Sequence, residues 1–249
     1  MPESTGGSDF RISLKLLWGT KERAPRGPKP TLTVDRVVET AIALADAEGI
    51  EQVSMRRVAE RLGVGAMSLY RYVPSKAELL DLMLDRIHAE HADATPPADT
   101  EPWRARLTWH AHQSRALIQR HPWMLQVRMG QRPPLGPNIM AVFNAILGAA
   151  KDIGLEPHET LAVTELIDNY VRGSTRAAVE AVQVTEESGV SDEEWWGERN
   201  AFWEEYFEVE RFPHITLMWE QGAYEEPVDQ FEFGLQRVLD GIEAMLAGR

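Results

Sequence analysis

Apolar residues recur three and four positions apart along most of this chain, the period of an α-helix, and no stretch alternates long enough to form a strand. Val34, Val37, Val38, Ala41, Ile42 and Ala45 line one face of a first strong helix, which Thr33 can cap and Gly49 can end. Ser54 opens a second helix with Val58 and Leu62 at i and i+4, and Gly63 follows where a left-handed residue would stop it. A short third helix then begins near Ala66, with Leu69 facing inward. Pro74 disfavours helical geometry at Val73, and Ser75 with Glu78 forms an S-x-x-E capping box ahead of Leu79, Leu80, Met83, Leu84 and Ile87.

Beyond a loop at 93–102, the pattern predicts helices over 102–120, 121–129, 136–153, 157–187, 191–209, 213–221 and 227–247. Breaks fall at Pro122, Pro133-Pro134, Gly154 with Pro157, Gly189, Pro213 and Pro227. There is no internal repeat, and the fold class is all-α.

Residues 54–72 thus read as helix, glycine-marked turn and second short helix, the layout of a helix-turn-helix. Val58-Ala59 with Leu62-Gly63-Val64, then Leu69-Tyr70-Arg71-Tyr72-Val73, then Ser75-Lys76 with Leu79-Leu80 make a more specific constellation. On these residues the segment 33–80 resembles the DNA-binding domain of the tetracycline-repressor family of bacterial transcriptional regulators. That resemblance implies a helix-turn-helix domain over 33–80 and a helical ligand-binding and dimerisation domain over 81–249; residues 1–32, basic and punctuated by proline and glycine, are expected to be a flexible arm, within which Leu14, Leu16, Leu17 and Trp18 could pack on another part of the chain.

Charge supports this division. The chain carries a net charge of -13 over 249 residues, which looks wrong for a DNA-binding protein. Residues 11–76, however, hold 12 basic and 7 acidic side chains, whereas residues 77–249 hold 14 basic and 30 acidic ones. Positive charge is concentrated where phosphates would lie, and the acidic remainder favours one docking orientation. The absence of cysteine excludes disulfides, thiol catalysis and cysteine-ligated metal. No run of about 18 apolar residues and no secretory leader is present, so a cytoplasmic protein is expected.

The resemblance assigns DNA contacts to Ser54, Arg56, Arg57, Gly65, Ala66, Met67, Ser68, Tyr70, Arg71, Tyr72 and Lys76. Small residues at Gly65 and Ala66 allow close approach and apolar contact with a thymine methyl, while Tyr70, Tyr72 and Lys76 suit phosphates. Arg57 is more readily a solvated helix charge than Arg56, and Arg71 is compatible with either a phosphate ligand or an exposed charge. Lys21, Arg23, Arg26 and Lys29, set among prolines and glycines, are compatible with a disordered leader or with an arm touching DNA.

The expected partners are a near-palindromic double-stranded operator, a small-molecule effector and a second copy of the chain, with no membrane. Phe231, Leu235, Val238, Ile242 and Met245 form a narrow seam, and the helix from Leu161 to Val182 offers Leu166, Ile167, Tyr170 and Val171 followed by small residues. In the resembling family, two such helices from each subunit make a four-helix interface. A pocket with apolar walls and few polar anchors is expected around Trp109, His110, Trp123, Arg128 and Asn169.

No cofactor is expected. By the resemblance, Arg128 falls where the family's namesake has a histidine ligand to magnesium-bound tetracycline, and a cation there disfavours a divalent metal. His88 and His91, at i and i+3, read as partly exposed helix residues rather than metal ligands. No H-E-x-x-H, P-loop, G-x-G-x-x-G or G-x-S-x-G occurs, so no enzyme is expected. The alternative is a helical interaction module or a metal- or small-molecule-binding protein without sequence-specific DNA binding. Its most suggestive feature is the acidic, aromatic segment 191–212, opened by a Ser191/Glu194 capping box.

Overall fold

The computed structural model describes residues 10–19, 32–127, 133–151, 153–225 and 228–249, all helix, turn or loop. Helix α1 (Phe10–Leu17) precedes the DNA-binding unit α2 (Val34–Glu48), α3 (Met55–Leu62) and α4 (Ala66–Leu69). The body follows as α5 (Lys76–Ala92), α6 (Trp103–Arg120), α7 (Pro137–Ala149), α8 (Pro157–Ser188), α9 (Asp192–Gly197), α10 (Pro213–Glu220) and α11 (Gln230–Ala247). Single 3₁₀ turns at Ile50–Gln52 and Pro122–Leu125 and a π turn at Phe202–Tyr206 complete the described elements.

The caps form where their spacing predicts. Thr33 Oγ1 accepts from Arg36 N at 3.2 Å, and Ser54 Oγ accepts from Arg57 N at 3.3 Å. Gly63 ends α3 at φ 69°, the left-handed region that side chains with a Cβ avoid. At the head of α5 the arrangement differs from the expected box: Ser75 Oγ accepts from Ala77 N at 3.1 Å and meets the Glu78 carboxylate directly.

One core runs through both parts of the molecule. Val37, Val38, Ala41, Leu44, Val58 and Leu69 fill the space between α2, α3 and α4. The same apolar cluster continues through Leu79, Leu80, Met83, Leu84 and Ile87 of α5 into Leu107, Leu117 and Ile118 of α6 and Leu235, Leu239 and Ile242 of α11. Helix α5, which packs on α2, α1, α6 and α7, is therefore the spine joining the DNA-binding unit to the body.

The junction of α5 and α7 depends on one close approach. Pro137 opens α7 without an N–H to donate, and Asp85 of α5 accepts from the next two, Asn138 N and Ile139 N, each at 3.0 Å. A Cβ on Gly136 would stand 2.1 Å from Asp85 Oδ1, so only glycine admits the carboxylate. Burial raises the Asp85 pKa while these hydrogen bonds oppose the rise.

Several expectations are corrected. Residues 10–19 of the segment expected to be a flexible arm form α1 and its final turn, docked on α5, with Trp18 Nε1 donating to Leu135 O at 2.7 Å. The face formed by the buried Ser13 with Leu16 and Leu17, at i, i+3 and i+4, explains the docking; Met1–Asp9 and the basic stretch Lys21–Lys29 lie outside the described residues. The helix expected over 121–129 is a 3₁₀ turn, because Pro122 disfavours α geometry at His121, whose φ and ψ are -126° and 67°. The helix expected over 191–209 stops at Gly197 and resumes as the π turn, although its Ser191/Glu194 capping box does form. No helix among the described residues is long and apolar enough to cross a membrane.

Candidate nucleic-acid interface and buried histidine site

The helix-turn-helix is built by two backbone closures. Val64 N bonds to Ala59 O at 3.0 Å beyond the left-handed Gly63, and Val73 N bonds to Leu69 O at 2.9 Å at the exit of α4. Helix α4 is a single turn, anchored inward by the fully buried Leu69. Its outward face carries Met67, 79% exposed, with Ser68 beside it and Tyr70, 44% exposed, just after it. Gly65 and Arg71 are exposed, and Ser54, Ala66, Tyr72 and Lys76 are half-buried at the rim of the same end.

The two arginines of α3 differ. Arg56 extends into solvent, its Nε 3.7 Å from the exposed Glu60. Arg57 instead reaches Glu48 Oε2 at 2.5 Å and Gln52 Oε1 at 2.6 Å, and Arg61 reaches the other oxygen of Glu48 at 2.5 Å. Arg57 is thus engaged in tying α3 to the end of α2.

The residues expected to bind a ligand do not all meet. Trp109 and His110 lie together on α6, their rings 4.8 Å apart and edge-on. Their partner is His91 of α5: His91 Nε2 lies 3.0 Å from His110 Nδ1, and Trp109 meets the His91 ring at 5.6 Å. Burial pushes both imidazoles down to about 4, helped at His91 by the neighbouring His110 and His88. Both rings are neutral near pH 7, so one N–H can serve the other nitrogen while leaving polar capacity for a guest.

His91 is therefore not a partly exposed residue. It continues the buried face through Leu80, Leu84 and Ile87, a spacing visible in the sequence. His88 bonds Leu84 O through Nδ1 at 2.7 Å, and burial lowers its pKa. His112, on the other side of α6, faces Glu232 at 3.2 Å instead.

Trp123 is buried but lies in the 3₁₀ turn, where its Nε1 donates to Asp46 Oδ1 of α2 at 2.7 Å. Asn169 is exposed on α8, away from a buried site, and Arg128 lies outside the described residues. Among the described residues no group of three or more His, Asp or Glu is arranged to hold a metal.

Two successive segments of the chain match two family descriptions. Residues 37–83 match bacterial regulatory proteins of the tetR family, and residues 95–246 match the tetracyclin repressor-like C-terminal domain. The chain belongs to the TetR family. It is a helix-turn-helix, DNA-binding transcriptional regulator.

Among its TetR relatives, the HTH-type transcriptional repressor DrrR1 of Streptomyces coeruleorubidus is 44% identical over 249 residues, covering 99% of this chain and 90% of that protein. ActR of Streptomyces coelicolor, solved in complex with actinorhodin, has the same fold at a TM-score of 0.68 and 24% identity, covering 88% of this chain and 99% of ActR. BioQ, solved with its double-stranded DNA operator, superposes at a TM-score of 0.54 and 22% identity, covering 88% of this chain and 99% of BioQ.

Proposed function

We propose that this TetR regulator is a cytoplasmic, homodimeric repressor that a small molecule releases from a near-palindromic operator. The observation that carries the reading is the outward face of α4: a one-turn helix presenting an almost fully exposed methionine beside serine and tyrosine. Met67 and Ala66 offer apolar contact to thymine methyls, Ser68 a short hydrogen bond to a base edge, and Gly65 close backbone approach. Arg56, Tyr70, Arg71, Tyr72 and Lys76 supply the phosphate contacts, with Ser54 at the head of α3 beside them. Repression accords with the repressor DrrR1, and operator binding by this fold accords with the BioQ complex.

The second copy docks on α8 and α11. An open, largely apolar groove of about 380 Å³ runs between them, lined by Ala162, Val163, Leu166, Val238, Ile242 and Met245. Leu161, Leu166 and Met245 are exposed in the single protomer, which leaves an apolar face for a two-fold interface.

The ligand site is centred on His91, His110 and Trp109. Two neutral imidazoles and an indole suit a planar, carbonyl-bearing molecule taken without a metal, which accords with ActR, a protein of the same fold, having been solved in complex with actinorhodin. A mobility-shift and footprinting experiment on the DNA upstream of the gene tests the reading. A protected near-palindrome whose affinity falls steeply with salt supports it, and no protected site anywhere in a genome-wide binding map overturns it.

A further inference from the structure

We infer that His121 is a positioning residue that latches the DNA-binding unit to the helical body, held between Asp46 of α2 and Glu90 of α5. The inference rests on the ligand-responsive reading for its consequence, though its geometry stands alone.

His121 follows the last residue of α6 and is buried. Its Nδ1 lies 2.7 Å from Asp46 Oδ1, and its Nε2 lies 3.0 Å from Glu90 Oε1. Trp123, two residues on and 2% exposed, donates to the same Asp46 oxygen at 2.7 Å, and Arg120 pairs with the other oxygen of Glu90. Asp46 thus meets two ring nitrogens from one short turn of the body, and Glu90 is held by the last residue of α6 and the one after it.

The position of Asp46 suits a role outside its own helix. Asp46 and Glu48 occupy the last turn of α2, which has no basic residue. Carboxylates are disfavoured by the helix dipole at that end. Both are compensated by other elements, Asp46 by His121 and Trp123, and Glu48 by Arg57 and Arg61 of α3. A shift of the 3₁₀ turn at Pro122–Leu125 therefore reaches α3 through the end of α2 in two polar steps.

The same geometry connects the latch to the histidine site. Glu90 and His91 are consecutive on α5, while His110 lies within α6 and His121 directly follows its last residue. Two consecutive residues of α5 make polar contacts eleven residues apart on the α6 side, His91 with His110 and Glu90 with His121. A guest that parts the first contact strains the second, and through the second the displacement meets Asp46. A ligand shifts operator affinity this way only if it binds the two arrangements differently.

The test uses the absence of native cysteine. Spin labels at Met67→Cys on α4 and Ala105→Cys on α6 report the distance between the DNA-binding unit and the body, with labelled chains diluted in excess unlabelled protein. An asparagine amide stands near the Nδ1 position of histidine and a glutamine amide near Nε2. His121→Asn keeps the bond to Asp46, and the expected distance distribution matches the parent. His121→Gln keeps only the bond to Glu90, and its distribution should become at least twice as broad, as should that of His121→Ala.

Equal widths in all three variants, or equal broadening by Asn and Gln, overturns the latch. Should His121→Ala fail to fold, Trp123→Phe removes one donor from Asp46 with little change in volume and should broaden the distribution to a lesser degree; an unchanged width there also counts against the latch. Binding of the upstream DNA by the parent protein is scored separately, so failure of the regulator reading is distinguishable from failure of the latch.

Discussion

His91 Nε2 and His110 Nδ1 face each other at 3.0 Å across α5 and α6, both rings buried and neither facing a carboxylate in that contact. Burial holds both near 4, against 6.5 for the free side chain. Between those limits the unfolded chain binds more protons than the folded one, so stability rises with pH. The contribution of the pair is fully present above about pH 6.5 and is lost as pH falls toward 4. A shift of this size corresponds to roughly 3 kcal/mol for one ring taken alone. Thermal unfolding from pH 7 to pH 4 should show a falling Tm in the parent and a flatter profile in His91→Gln/His110→Gln; parallel profiles would show that the pair does not govern the acid limb.

Asp85 and Gly136 make a second, independent test of the α5–α7 junction. A Cβ at Gly136 must displace the carboxylate that caps α7, and displacing it exposes two N–H groups without partners. Gly136→Ala should cost about 1–3 kcal/mol in urea unfolding, the range for overpacking with a lost hydrogen bond. Asp85→Asn, which retains an acceptor oxygen without the charge, should cost less than Asp85→Ala.

Local features of this fold are legible in the sequence, and long-range ones are not. Ser54, Gly63 and Ser191 act on backbone groups within a few residues, so spacing alone places them. The helix-turn-helix follows from such signals in succession. Asp46 and His121 are 75 positions apart, and no periodicity links them. His91 was within reach, since it extends the apolar face of α5, but its pairing with His110 depends on how α5 and α6 cross. The α11 seam is subtler. Its period selects an inward face without saying whose interior, and Phe231, Leu235 and Ile242 are buried in their own protomer while Met245 remains exposed.

Contacts on the DNA face should separate by kind. Tyr70→Ala and Arg56→Ala remove phosphate-directed groups and should weaken operator and non-specific DNA binding alike, with a shallower salt dependence for the arginine variant. Ser68→Ala and Met67→Ala should lose roughly 1–3 kcal/mol on the specific site and little on random DNA. Arg57→Ala should lower the Tm before it affects DNA affinity, because its guanidinium serves Glu48 and Gln52. Competition titrations against operator and random duplex at two salt concentrations distinguish these outcomes.

The interface is tested by charge placed where a single protomer tolerates it. Leu166 is 48% exposed and Met245 39% exposed, so Leu166→Glu with Met245→Glu should leave the folded protomer and its Tm nearly unchanged at low concentration. In a two-fold interface each substitution occurs twice, and four carboxylates would be buried against apolar surface without partners. The dimer dissociation constant should rise at least about 100-fold, a loss on the order of 3 kcal/mol. Sedimentation at micromolar concentration should then show monomers for the variant and dimers for the parent. Operator affinity should fall with it, because two recognition helices held one helical turn apart bind far more tightly than either does alone. A dimer that persists with unchanged affinity would place the subunit contact elsewhere on the body.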